Sequence, residues 1–147
     1  EKDRNSKNKK KNEKSKDNLY YSYSQEVDVD PEIIYFQHSK IKCVFSDQRK
    51  IDDTIEEIKA DVKVIEKIPK IQVIVDKEGN LFSLNNRRLY MYKKLKEMGI
   101  LNTIKVRLRI MEESEKNRYN TNQCSLKAKY MYKIKQTNTM EEKNPEN

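Results

Sequence analysis

Tryptophan is absent from this 147-residue chain, and there are only two glycines, three prolines, two cysteines and one histidine. A single histidine, His38, excludes a His-rich metal site or a His pair, and as a general base it would need an orienting partner that the sequence does not name. Two cysteines, Cys43 and Cys124, are too few for a disulfide framework, and no C-x-x-C pair is present for zinc. A reduced intracellular compartment, cytoplasm or nucleus, is the default for such a chain. No run approaches the ~18 apolar residues of a membrane span. No signal-peptide pattern stands in these residues, but the first of them is Glu1 rather than methionine, so targeting information upstream is left open.

Charge is what the chain has in plenty. Charged residues make up 38% and hydrophobic residues 35%, the latter below the roughly 45–50% of an ordinary globular chain. The net charge is +8. Half of it falls in the opening "EKDRNSKNKKKNEKSKDN", with eight Lys/Arg, four Asp/Glu and no apolar residue. That stretch cannot bury enough surface to offset its ordering entropy, so residues 1–18 read as disordered. Residues 136–147 read the same way, and 19–135 as one domain. A basic tail can hold nucleic acid or anionic lipid loosely through counterion release. The plain alternative is Lys/Asn-rich low complexity with no binding role.

Within the domain, Tyr20, Tyr21 and Tyr23 form a lead-in whose rings are expected to pack onto the fold. "IIYF" reads as a strand near 33–37, and the alternation of Ile41, Cys43 and Phe45 as a second extended piece, with Cys43 a core residue. Ile51, Ile55 and Ile58 recur at helical spacing, with Asp52 or Asp53 as cap. "IQVIV" reads as a strand over 71–75, "DKEGN" as a turn holding Gly79, and "LFSL" as the returning strand, 81–84. After Asn85 the period changes: Leu89, Tyr92, Leu95 and Met98 mark a helix over about 86–98, with Gly99 as its C′ residue. Ile104, Val106, Leu108 and Ile110 alternate as a closing strand. "TNQCSLKAKYMYKIK" is expected to carry a weak helix capped at Thr121 or Asn122. The order specifies a small α+β domain.

The chemistry concentrates at "LNNRRL". The free N–H groups of a helix start, together with its dipole, favour anions. Asn86 is placed to cap that helix, and Asn85 to replace a glycine in a tight turn, because asparagine tolerates left-handed backbone. Arg87 and Arg88 point about 100° apart around the axis, so one can reach an anion while the other braces the fold. Arginine suits phosphate because its fork binds two oxygens. Arg49 would be a third positive group. The structural alternative is that Arg87 or Arg88 pairs with an acid such as Asp52 or Glu56. Tyr90, Tyr92 and the "KYMYKIK" run interleave rings with lysines, a pattern that can stack single strands, though packing is the expected role. Cys124, with Lys127 at helical spacing, is read as an inert thiol.

This order and motif resemble the ParB/sulfiredoxin-like superfamily over Ile33 to Arg109. "IKCVFSDQRKIDDTIEEI" looks like the early arginine box and helix of ParB N-terminal domains, with Arg49 in the arginine position. Asn85, Asn86, Arg87 and Arg88 occupy the positions of the ParB Gly-Glu-Arg-Arg box, and "TIKVRL" matches the closing strand. Sulfiredoxin has a similar "FS" strand followed by Gly-Cys-His-Arg. The resemblance implies a small mixed sheet with helices packed against it, and a nucleotide or nucleic-acid phosphate held by Asn85, Asn86, Arg87, Arg88 and Arg49. The cofactor stays open, a nucleotide with Mg2+ being the candidate. Where sulfiredoxin has its nucleophilic cysteine, this chain has Asn86, and an amide supplies no thiolate. Where ParB has glutamate, the carboxylate is lost, and no helix-turn-helix follows.

A phosphate-binding module without sulfiredoxin activity is therefore the leading expectation. The alternatives are a metal-dependent nuclease or nucleotide-dependent phosphotransferase using Asp47, Asp52 and Asp53, and a non-catalytic basic nucleic-acid-binding or scaffold protein.

Overall fold

The computed structural model describes residues 25–131. The two tails, the lead-in tyrosines and the Tyr132–Lys135 end of the basic aromatic run lie outside the described residues. Within them the domain is α+β. Its strands are β1 (Gln25–Val29), β2 (Ile34–Tyr35), β3 (Lys40–Ile41), β4 (Gln72–Val75), β5 (Leu81–Ser83), β6 (Ile104–Ile110) and β7 (Lys129–Tyr130), and its α-helices are α1 (Ile51–Ala60) and α2 (Asn86–Glu97). Five strands form a mixed sheet in the order β1-β6-β4-β5-β2, and β3 pairs with β7 in a small parallel sheet.

β4 sits at the centre, and its alternation divides the core. Val73 packs with Ile51, Ile55 and Ile58 of α1 and with Leu89, Tyr92 and Leu95 of α2. Its neighbour Ile74 points the other way, into a smaller cluster with Phe82, Met111, Tyr119 and Cys124. Three isoleucines spaced one helical face apart are each almost fully buried in α1, worth roughly 1.5–3 kcal/mol apiece against exposure. That burial, rather than propensity, holds a ten-residue helix. The second cluster is closed by the Arg109–Glu115 fork, whose two N–H···O bonds measure 2.9 and 2.7 Å.

Several expectations need correction. β1 is an edge strand the sequence reading passed over as lead-in. It is held by five residue pairs in register with β6 and by Val27 and Val29 packing against the core, while Asp28 faces Lys105 on the exposed side. The strand near 33–37 is shortened to β2, because Pro31 opens a 3-10 turn over Pro31–Ile33. The cap of α1 is Lys50, without a side-chain bond, and Asp52 and Asp53 stand in its first turn. No helix forms at 121–131. The Asn120 side chain instead accepts from the N–H groups of Asn122 and Gln123, competing with a helix as short polar side chains do. The segment then runs as turns into β7. Cys43 is exposed rather than in the core. The end of α2 follows expectation: Gly99 has a φ of 76°, and the N–H groups of Ile100 and Gly99 bond back to Leu95 and Lys96.

Candidate functional site

Residues 81–88 carry the chain from β5 into α2, and hydrogen bonds fix the junction. The N–H of Asn85 donates to Ser83 Oγ at 2.9 Å, and the Asn85 carbonyl accepts from Leu89. Asn85, not Asn86, is therefore the N-cap. Its φ of −133° is not left-handed, so it does not stand in for a glycine. Its side chain turns back to the sheet and accepts from the N–H of Gln72 at 2.8 Å. Asn86 does the same across 49 residues, accepting from the N–H of Gln37 at 3.1 Å. Both amides that would otherwise cap α2 are committed to the sheet. The helix opens with no side-chain cap bond, so its first-turn N–H groups have no side-chain acceptor, and Asn85 to Arg88 line the cleft described below.

The two arginines diverge as their spacing demands. Arg87 Nη1 donates to the carbonyl of Val44 at 2.8 Å. Arg88 Nη1 donates to the carbonyls of Pro69 and Lys70. Neither pairs with Asp52 or Glu56. Each guanidinium carries five N–H donors, and these bonds use one nitrogen apiece. Burial pushes Arg88 down from the ordinary arginine range, though arginine keeps its charge. Arg49 comes from the turn after β3. Asp47 accepts from its N–H at 3.0 Å and its Nε at 3.1 Å, and the backbone bond chiefly holds the Asp47 carboxyl below its usual range. The turn passes through Gln48 at a φ of 73°, the one non-glycine residue with positive φ among those described.

All five residues picked from sequence line one cleft of about 620 Å3, between α2, the Phe45–Arg49 turn and the Lys67–Pro69 segment. Six of its residues are lysine or arginine, and Asp47 is its one acid. Lys40 and Lys42, from one segment, and Lys67, from another, were missed by sequence reasoning, and only tertiary folding brings them to the α2 start. His38 lines it too and is exposed. Low-dielectric walls focusing one sign of charge draw anions in.

The acids do not join them. Asp52, Asp53 and Glu56 line a second groove of about 290 Å3 with Tyr90, Lys94 and Met98, and Asp52 accepts from the Tyr130 hydroxyl. Tyr130 stacks on Tyr90 at 4.7 Å, so these rings pack on each other as expected, and Tyr92 is buried in the core. Among the described residues no group of three or more His, Cys, Asp or Glu is placed to hold a metal ion. Cys124 is buried, and burial pushes its thiol up, so Lys127 does not activate it.

In comparisons with known proteins, the chain matches no family model, no curated protein and no solved structure. No described helix is long and apolar enough to cross a membrane.

Proposed function

We propose that this domain is a binding module for a phosphate-bearing ligand, a nucleotide or nucleic acid, held at the start of α2. The carrying observation is that an uncapped helix N-terminus opens into a cleft where six cations meet one acid. The ligand's phosphate supplies the missing cap. Its oxygens accept from the first-turn N–H groups, and the spare donors of Arg87 and Arg88 close on it from two sides. Arg49 stands at the rim. Charge-assisted bonds of about 1.5–3 kcal/mol each must exceed the cost of association, so a few of them support micromolar to millimolar affinity. The ParB/sulfiredoxin resemblance of residues 33–109 points to the same ligand class on sequence motifs alone. Asn86 offers no nucleophile, and the acids that metal-assisted chemistry needs are divided between two grooves, so binding is favoured over reaction.

Thermal shift and calorimetry with nucleoside triphosphates, inorganic phosphate and an oligonucleotide, each with and without Mg2+, test the reading. Stabilisation by at least one at millimolar concentration, weakened in Arg87→Ala, is expected. No stabilisation by any of them overturns it.

A further inference from the structure

Thr54, in the first half of α1, is 2% exposed, and its hydroxyl is the single buried side-chain oxygen or nitrogen without a hydrogen-bond partner among the described residues. A buried hydroxyl with no partner is costly to keep, and nothing in the packing of α1 needs one, since Ile51, Ile55 and Ile58 bury their side chains around it without any polar atom. Thr54 also lines the same cleft as the α2 start. The cleft wall grades inward, from exposed Lys40, Lys42 and Lys67, through half-buried Asn86, Arg87 and Arg88, to buried Ile41 and Thr54. Thr54 is therefore the most buried polar side chain of the lining. A helical threonine has two accessible χ1 rotamers, and the one seen here leaves the hydroxyl off the helix backbone.

We infer that Thr54 Oγ1 is a ligand contact that donates to a terminal phosphate, and that the cleft therefore selects free phosphomonoester ends over phosphodiesters. This rests on the phosphate-binding reading above. A hydroxyl this deeply buried is reached more readily by a group that ends than by one whose chain continues on both sides. A diester phosphate carries a carbon substituent on both sides, and its chain must leave in two directions. A terminal phosphate presents three oxygens, enough for the α2 N–H groups, an arginine and Thr54 together. Its second ionisation near pH 6 also gives it the greater charge to match the cationic wall.

The test is a calorimetric comparison of AMP, ATP and inorganic phosphate with 3′,5′-cyclic AMP and an oligonucleotide lacking terminal phosphates, on the wild-type protein, Thr54→Val and Thr54→Ser. The expected result is at least tenfold tighter binding of one free-ended probe than of the diesters, a tenfold loss in Thr54→Val for that probe alone, and recovery in Thr54→Ser. Unliganded Thr54→Val should melt higher than wild type, which shows that it folds and that the hydroxyl was unsatisfied. Equal binding of both probe classes, or Thr54→Val binding like wild type, overturns the inference and leaves the binding reading intact. Binding of none of the probes by the wild type removes both.

Discussion

Asn86 Oδ1 accepts the backbone N–H of Gln37 at 3.1 Å, and the Gln37 side chain in turn accepts the Tyr119 hydroxyl at 3.2 Å. The first turn of α2 is thereby tied through the end of β2 to the segment covering the far face of the sheet. The residue that resembles a catalytic position is a strut, and its amide oxygen is already in use.

Asn86→Asp separates that role from binding. The carboxylate keeps the acceptor for Gln37, and an acid at a helix start is favoured by the dipole. Stability should stay within about 0.5 kcal/mol of wild type, while phosphate affinity falls because a negative charge enters the cleft. Asn86→Ala should instead lose about 1 kcal/mol by denaturant unfolding. Equal phosphate affinity in Asn86→Asp and wild type would contradict this placement.

Arg49→Ala should leave unfolding within about 0.5 kcal/mol, since its bridge to Asp47 joins two side chains more than half exposed. Phosphate affinity should fall roughly 3–10-fold, with a shallower salt dependence, as for a rim charge. Calorimetry at two salt concentrations checks both.

The Arg109–Glu115 fork is mostly shielded, with side-chain exposures of 15% and 10%. The Arg109 bond chiefly holds the Glu115 carboxyl below its ordinary value of 4.5. A carboxyl with a depressed folded pKa contributes stability above its unfolded pKa and loses it as pH falls through the folded one. The wild type should therefore lose stability below about pH 4.5, and Glu115→Gln should lack that component of the acid limb. At neutral pH Glu115→Gln should cost on the order of 2 kcal/mol.

Lys93 lies buried over the Phe36 ring at 5.0 Å, with its Nζ donating to the carbonyls of Leu126 and Glu32. Burial pulls it down from 10.5 to about 8, against the opposing pull of Glu32, Asp30 and Glu97. With a folded pKa below the unfolded one, the unfolded chain binds more protons between about 8 and 10.5, so this group's contribution to stability rises with pH across that window. Cys124, Tyr92 and Tyr130 act in the opposite sense at higher pH. The difference between wild type and Lys93→Met isolates the effect, and melting curves from pH 7.5 to 10 should show that difference moving in favour of the wild type. A difference that is flat in pH would refute it.

Elements with a strong local period were legible in the sequence. Ile51, Ile55 and Ile58 announce α1, the Leu89–Leu95 spacing and Gly99 announce α2, and Ile104 to Ile110 alternate as β6. β1 was not legible as a strand, because Gln25–Val29 offers only two apolar residues and is held by cross-strand partners 75 or more residues away in β6. The helix expected near 121–131 failed because Asn120 satisfies backbone groups locally, and its two-residue strand exists only through β3.

By itself, the sequence determined that a helix begins at Asn85–Arg88 with two arginines on diverging faces, since that follows from 3.6-residue geometry alone. Which groups remain free there was decided by tertiary structure. Gln37 and Gln72 draw the two asparagine amides back to the sheet, leaving the helix start uncapped. Lys40 and Lys42, Thr54, and Lys67, from three separate places in the chain, meet it across one cleft. Capping and charge clustering between distant segments depend on where the chain returns to itself, which no local pattern encodes.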